Sequence, residues 1–205
     1  MGRCDPRIND VFESNCRLSM DQFVPMNCSE YEYDHTCISF RCEAGQDEFN
    51  IPGLHTCSSL AYATLDIDGD FTFCAECKII GTAKFDGAGI YLRTQDSTVK
   101  FGVERYKEND YRIVTVRSAP LSDEANGSAI NSPFLDLVLT RRSDVFSCYS
   151  QHNKQLRFER AFAIKRPPVR ASVGLFLQSP FSHSGAKAVF DNLRLAHTSL
   201  EDIRE

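Results

Sequence analysis

The sequence has no tryptophan, no long apolar run and no excess of basic residues, and these absences narrow the class of protein. No stretch of the 205 residues stays apolar over the about 20 residues of a membrane-spanning helix, so we expect no membrane contact. The net charge is −5, whereas nucleic-acid-binding domains usually carry a basic excess, so we expect no nucleic-acid partner. The opening residues, MGRCDPRIND, contain no apolar segment of a secretory signal, which predicts a cytoplasmic location.

The motifs of several enzyme classes are also missing. The chain contains no G-x-S-x-G, no H-E-x-x-H, no phosphate-binding loop and no dinucleotide-binding fingerprint. No residue pattern therefore calls for a cofactor, and we expect none. Helix-period patterns and internal repeats are missing too, while short segments of alternating apolar and polar residues are frequent.

The clearest alternating pattern lies in residues 88–117, which predict three antiparallel strands joined by short turns. Alternate side chains of a strand share a face, so the apolar set of this stretch faces a core and the polar set faces away from it. We predict this second face as the ligand-binding surface. Its polar and aromatic side chains are Tyr91, Arg93, Lys100, Glu104 and Tyr106.

The other segments predict one large β domain. At least eight short strand patterns with no long helical pattern indicate an all-β, two-sheet antiparallel jelly-roll sandwich. We divide the chain into an irregular, cysteine-containing N-terminal arm packed on the domain (1–36), the sandwich (37–197) and a short C-terminal tail (198–205). Residues 44–59 and 118–133 are interrupted by glycine and proline and predict loops.

Five segments occur in an order and at a spacing that resemble a known family. They are GDFTF (Gly69–Phe73), AGIYLR (Ala88–Arg93), KFGVE (Lys100–Glu104), VGLFLQSP (Val173–Pro180) and VFDNLRL (Val189–Leu195). Together they are similar to the concanavalin A-like family that includes the fungal "regulation of enolase" protein and uncharacterised microbial relatives. The resemblance implies the lectin and glucanase fold, in which one curved sheet presents a concave face. It also implies a regulatory role in central carbon metabolism.

Some cysteine and aspartate residues have spacings that resemble metal-binding motifs, but the rest of the pattern argues against a metal site. The nine cysteines are an odd number and no secretory signal precedes them, so we expect free thiols. Cys74 and Cys77 have C-x-x-C spacing, but residues three apart in a strand point to opposite faces and do not chelate one ion. Asp66, Asp68 and Asp70 lack the glutamate that completes a calcium loop and predict a turn. We therefore expect no metal site.

Glu76, Arg93 and Glu104 are the sharpest group of charged residues, and the sequence leaves their role open. Arg93 and Glu104 form either an ion pair or an anchor for ligand hydroxyl groups. Glu76 and Glu104 are also candidates for the carboxylate pair of a glycoside hydrolase, since two carboxyl groups at a set separation catalyse the cleavage of glycosidic bonds.

We expect a non-enzymatic binding or regulatory module whose concave sheet face takes a carbohydrate or a protein partner. The predicted binding residues are Tyr91, Arg93, Glu104, Glu76, Lys100 and Tyr106. One alternative is the glycoside hydrolase with the carboxylate pair on the concave face. Another is a structural domain whose N-terminal arm mediates assembly or thiol-dependent regulation. The sequence leaves the oligomeric state open.

Overall fold

The computed structural model describes residues 5–12, 18–153, 155–164 and 170–201, and strands dominate this part of the chain. Helical structure in it comprises α1 (Pro6–Val11) and a short 3₁₀ helix (Met20–Gln22). The strands are β1 (Val24–Met26), β2 (Glu30–Tyr33), β3 (Cys37–Cys42), β4 (Glu48–Ile51), β5 (His55–Ser58), β6 (Ala61–Asp68), β7 (Phe71–Ile80), β8 (Gly87–Arg93), β9 (Thr98–Lys107), β10 (Asp110–Ser118), β11 (Ser122–Ile130), β12 (Phe134–Arg142), β13 (Val145–His152), β14 (Gln155–Ala163), β15 (Arg170–Gln178) and β16 (Ala186–Ala196).

The strands form two seven-stranded antiparallel sheets and one separate hairpin. Sheet A has the strand order β1-β6-β15-β8-β9-β10-β11, and sheet B has the order β14-β13-β12-β7-β16-β3-β2. β4 and β5 pair with each other and form a separate two-stranded sheet. The predicted fold class, an all-β antiparallel jelly-roll sandwich, is confirmed. In the part of the chain described above, no helix is both long and apolar enough to cross a bilayer.

One hydrophobic core lies between the two sheets, and the central stretch has the predicted register. Ile90, Leu92, Phe101 and Val103 are almost fully buried in this core, together with side chains of sheet B. β8 pairs with β9 and β9 with β10, all antiparallel, as the alternation predicts. The side chains at the alternate positions therefore point to the outer face of sheet A.

The loop predictions for residues 44–59 and 118–133 are wrong. The first segment holds the β4–β5 hairpin, in which Gly53 adopts the positive φ of a tight turn. The second holds β11, an edge strand with the polar sequence SDEANGSAI. Neither segment contributes a row of side chains to the core, so neither shows the alternation by which a strand is recognised.

The N-terminal arm contains more regular structure than the sequence suggests. β1 pairs with β6 at one edge of sheet A, and β2 pairs with β3 at one edge of sheet B. Both strands are short edge strands with mostly exposed residues, which leaves little pattern in the sequence. The three-part division of the chain stays a prediction, and residues 1–4, 13–17 and 202–205 of the arm and tail lie outside the described residues.

Candidate functional site

The candidate site lies on the outer face of sheet A, where the predicted binding residues of β8 and β9 point. Lys100 pairs across the sheet with Val116 of β10, which pairs in turn with Glu124 of β11, so these three share one row of outward side chains. A second row joins Gln178, Gly87 and Glu104 on β15, β8 and β9.

The β4–β5 hairpin packs over this outer face and divides it into two depressions. Tyr91 donates its hydroxyl hydrogen to Glu48 Oε2 at 2.6 Å, and the Thr98 hydroxyl donates to the other oxygen of the same carboxylate. At the far edge of the sheet, the Asn50 amide donates to Ser122 Oγ at 2.8 Å. The hairpin is therefore attached to three strands of sheet A.

On one side of the hairpin lies a cavity of about 190 Å³, which we call the hairpin cavity. Ligand pockets for drug-sized molecules usually start at about 300 Å³, so this one suits a smaller ligand. Its lining combines aromatic and aliphatic walls with a polar floor. The lining residues are Asp47, Phe49, Leu54, His55, Phe85, Lys100, Glu104, Val116, Glu124, Gln178, Pro180 and Phe181.

A chain of buried polar contacts forms the floor of the hairpin cavity. Lys100 Nζ donates to Asp47 Oδ1 at 2.5 Å and to Gln178 Oε1 at 2.6 Å. Gln178 Nε2 donates in turn to Glu104 Oε2 at 3.1 Å. Lys100 is only 3% exposed and Glu104 only 6% exposed. Buried charges cost several kcal/mol unless they are paired, so this chain of contacts is needed to keep the floor stable.

Because Gly87 has no side chain, the Gln178 side chain can occupy the space next to it. The two residues are neighbours across β8 and β15, and a Cβ atom at residue 87 would lie 3.3 Å from three atoms of the Gln178 side chain. Glycine at this position therefore lets the glutamine lie flat across the sheet and reach Glu104.

The protonation of Glu104 is strongly perturbed. Burial raises the pKa of its carboxyl group to about 8, the charge of Glu124 raises it further, and Lys100 opposes the shift. Glu104 is therefore mostly neutral at pH 7 and can donate a hydrogen bond as well as accept one. Perturbed carboxyl groups in a cavity are frequent at functional sites.

Aromatic rings form the wall of the hairpin cavity. The ring of Phe181 lies 5.6 Å from that of His55 and 5.7 Å from that of Phe85, measured between centroids. Phe49 lies 6.0 Å from His55 in the same way. Phe181 lines the cavity and is 54% exposed, so part of its ring is accessible to a ligand.

On the other side of the hairpin lies an open polar groove of about 660 Å³. Arg93 points into this groove, where its Nη1 donates to the Tyr62 hydroxyl at 3.0 Å. Arg170 lies at the opposite wall and forms ion pairs with Asp66 at 3.7 Å and Asp68 at 3.5 Å. Among the described residues that line the groove, none is aromatic.

The structure brings only two of the six predicted binding residues together. Lys100 and Glu104 lie in the hairpin cavity, whereas Arg93 lies in the groove. Tyr91 is buried beneath the hairpin, and Tyr106 lies at the exposed end of β9, where its ring contacts the Lys84 ammonium. The expected Arg93–Glu104 ion pair is absent, because Arg93 and Glu104 lie at opposite ends of the β8–β9 pair.

Glu76 belongs to the other sheet, which separates the proposed carboxylate pair. It lies on β7 of sheet B between Ala75 and Cys77, which face the core, so its side chain points to the outer face of that sheet. There it accepts a hydrogen bond from Asn192 Nδ2 at 3.0 Å. Glu104 points outward from sheet A, so the whole sandwich lies between the two carboxylates. They do not form the catalytic pair of a glycoside hydrolase.

The residues weighed as metal ligands do not converge. Cys77 lies in the core and Cys74 in a second cluster on the outer face of sheet B, as expected for residues three apart in a strand. Within the described ranges, no group of three or more His, Cys, Asp or Glu side chains is arranged to hold a metal ion. The seven cysteines in these ranges are free thiols, and Cys4 and Cys16 lie outside them.

Of the residues that line the hairpin cavity, only Lys100 and Glu104 are predicted from the sequence, and Asp47, His55, Gln178 and Phe181 are among those that are not. Asp47 and His55 come from the segment predicted as a loop, so nothing marked them as facing the sheet. Gln178 stands within VGLFLQSP at an alternate, outward position of its strand. A polar residue at the end of a strongly apolar strand is the feature of the sequence that indicates a role for Gln178.

Comparison with known proteins supports the fold over nearly the whole chain. A family model described as "Protein of unknown function (DUF1349)" matches residues 26–198. A functionally unknown protein from Saccharomyces cerevisiae has the same fold, with a TM-score of 0.80 at 17% identity, over 90% of this chain and 100% of that one. No curated protein sequence matches the chain.

Two further structural neighbours have names connected with carbohydrates. Xylan beta-1,4-xylosidase from Bacillus halodurans C-125 matches with a TM-score of 0.59 at 11% identity, over 84% of this chain and 38% of that one. A legume lectin-like domain from Entamoeba histolytica matches with a TM-score of 0.56 at 8% identity, over 87% of this chain and 91% of that one. Identities this low establish a shared fold and no more.

Proposed function

We propose that this chain, which belongs to the DUF1349 family, is a non-enzymatic carbohydrate-binding module that holds a single sugar ring in the hairpin cavity. The observation that carries the proposal is the joint presence of a ring-lined wall and a hydrogen-bonding floor in one cavity of about 190 Å³. The neighbours named as a xylosidase and a lectin-like domain agree with this ligand class, but the argument depends on the cavity.

The cavity offers the two kinds of contact that a sugar ring needs. The carbon-bound hydrogens of a pyranose form an apolar face, which packs on an aromatic ring such as that of Phe181. Its hydroxyl groups both donate and accept hydrogen bonds. Asp47 and Glu104 supply acceptors, and Lys100, His55 and the neutral form of Glu104 supply donors.

Calorimetric titration of the protein with a panel of neutral monosaccharides tests this proposal. Phe181→Ala removes the exposed ring and is expected to weaken binding by about tenfold, which corresponds to about 1.4 kcal/mol. Phe134→Ala is the matched control, because Phe134 is an exposed phenylalanine on sheet B. Equal affinity of the two variants, or the absence of binding at millimolar sugar, would contradict the proposal.

A second candidate is the regulation of a metabolic enzyme through direct contact, which the resemblance to the "regulation of enolase" protein suggests. One observation favours a protein partner: Leu54 and Phe181 are 74% and 54% exposed at the mouth of the hairpin cavity. Surface plasmon resonance with purified enolase tests this candidate. If this candidate is right, we expect enolase to bind the wild-type protein and to bind the Leu54→Ser variant more weakly. The absence of binding at micromolar enolase would contradict this candidate.

A further inference from the structure

Lys100 supplies an ammonium group on the floor of the hairpin cavity, and this group already has partners. Lys100 Nζ contacts the carboxylate of Asp47 at 2.5 Å and the amide oxygen of Gln178 at 2.6 Å. Its charge is therefore balanced by Asp47. His55 adds to this arrangement from the hairpin, with Nε2 at 3.5 Å from Asp47 Oδ2.

Two other carboxyl groups, those of Glu104 and Glu124, line the same cavity, and neither forms an ion pair with a residue in the described part of the chain. Glu104 contacts Gln178 through one oxygen, and Glu124 forms neither a hydrogen bond nor an ion pair with any residue that the structure describes. Arg112 faces Glu104 across the β9–β10 pair, but its guanidinium group lies 3.4 Å from Asp110 instead.

The neighbouring cations are also engaged elsewhere. Lys84 Nζ lies 4.5 Å from the centroid of the Phe85 ring and 4.6 Å from that of Tyr106. Arg160 on β14 pairs with Asp123, the residue next to Glu124, at 2.5 Å. The charge left without a partner in the cavity is therefore acidic. The perturbed pKa of Glu104, raised first by burial and then by the charge of Glu124, agrees with this imbalance.

The walls of the cavity also favour a cation. The faces of aromatic rings attract positive charge, and Lys84 already uses one face of Phe85 in this way. Phe49, Phe85 and Phe181 line the same cavity as the two carboxyl groups. A ligand ammonium in this space would be in contact with carboxyl oxygens and with ring faces at once.

We infer that the hairpin cavity selects a sugar ring bearing a protonated amine, whose ammonium group lies between Glu104 and Glu124. This inference rests on the proposed function, since it names the class of sugar bound at the same site. An ammonium next to Glu104 favours its ionised form, so binding at pH 7 releases a proton from this carboxyl group to the solvent.

Titration calorimetry at pH 7 with glucosamine, N-acetylglucosamine and glucose separates the possibilities. The three sugars share one ring, and only glucosamine carries an ammonium. We expect glucosamine to bind at least about tenfold more tightly than the other two, the difference expected from one additional charge-assisted contact. Repeating the titration in two buffers of different ionisation enthalpy is expected to reveal proton release with glucosamine alone.

Substitutions of the two glutamates test whether their carboxyl groups cause the preference for glucosamine. Glu104→Gln is expected to abolish both the preference and the proton release, whereas Glu108→Gln, in the exposed turn after β9, is expected to leave both unchanged. Because Glu124 is exposed, Glu124→Gln is expected to leave the fold intact and to reduce the preference severalfold. Thermal unfolding of each variant verifies that the fold is intact before titration.

The possible outcomes distinguish this inference from the proposed function. Equal affinity for the three sugars would overturn the inference and leave the proposed function standing. The absence of binding by any of the sugars would overturn both. Tighter binding of n-butylamine, which has the ammonium but no ring, would assign the site to an aliphatic amine such as a lysine side chain and overturn the sugar class.

Discussion

At the scale of the residue, Glu104 links the stability of the fold to pH. Its pKa is raised to about 8 in the folded protein, from an ordinary value of 4.5, chiefly by burial. Between these two values the folded state holds a proton that the unfolded state has released. The free energy of unfolding therefore falls as pH rises through this window.

Glu104→Gln is expected to remove this pH dependence. The variant should gain stability relative to wild type between pH 5 and pH 8.5, on the order of 4 kcal/mol, since each pH unit between the two pKa values corresponds to about 1.4 kcal/mol. Urea denaturation at the two pH values measures the difference. Glu108→Gln is the control and should follow the wild type. Parallel pH profiles of Glu104→Gln and the wild type would show that the buried carboxyl group is ionised throughout.

Lys100 and Asp47 form a buried pair in which each residue neutralises the other. Lys100→Met leaves the Asp47 carboxylate without its ammonium and is expected to cost about 3 kcal/mol of unfolding free energy. The double variant Lys100→Met/Asp47→Asn is expected to recover part of this loss, because no buried charge is left unpaired. A double-mutant cycle by chemical denaturation measures the coupling, and additive effects would contradict it.

At the scale of the element, close backbone contacts in sheet A require glycine on β8 and β9. A Cβ atom at Gly102 would lie 2.2 Å from the carbonyl oxygen of Ala88, and one at Gly89 would lie equally close to that of Phe101. These glycines are paired across the two strands and lie between the row that holds Lys100 and the row that holds Glu104.

Gly102→Ala is therefore expected to displace the two strands and to cost more than about 3 kcal/mol. Gly127→Ala on the edge strand β11 is the comparison, because its Cβ would lie 3.1 Å from a movable Glu159 side-chain oxygen and is expected to cost less. Thermal unfolding ranks the two variants. A Gly102→Ala protein as stable as Gly127→Ala would contradict the close packing of the two strands.

The β4–β5 hairpin depends on a few side-chain contacts for its position on sheet A. Tyr91→Phe removes the hydroxyl that binds Glu48 and is expected to loosen the hairpin without disturbing the core. Hydrogen exchange of residues 48–58 should then become faster by severalfold, while exchange in sheet B stays unchanged. Tyr33→Phe, at an exposed position of β2, is the control. Unchanged exchange in the hairpin would show that other contacts hold it.

At the scale of the whole molecule, the sequence predicts the sandwich well because burial imposes a period of two on its strands. The alternation in β8 and β9 gives the register directly, since a slip of one residue would turn Ile90 and Val103 out of the core. The polar edge strand β11 and the hairpin β4–β5 were missed because neither contributes a row of side chains to the core.

The sequence predicts only part of the site, because alternation reveals the residues of the strands and not those of the hairpin. Lys100 and Glu104 follow from the register of their strand, whereas Asp47 and His55 reach the cavity from a hairpin whose position depends on tertiary contacts. The alternation cannot reveal which sheet a strand joins. The sequence therefore predicts that Glu76 shares a face with Glu104, whereas the strand order puts the two residues in different sheets.

The most direct test of the central claim is a ¹H–¹⁵N chemical-shift titration of the intact protein with a monosaccharide. We predict that the amides which shift belong to the hairpin cavity, within residues 47–55, 84–87, 100–104 and 178–181. Shifts confined to the groove around Arg93 and Ser172, shifts on the outer face of sheet B, or no shifts at millimolar sugar would contradict the claim.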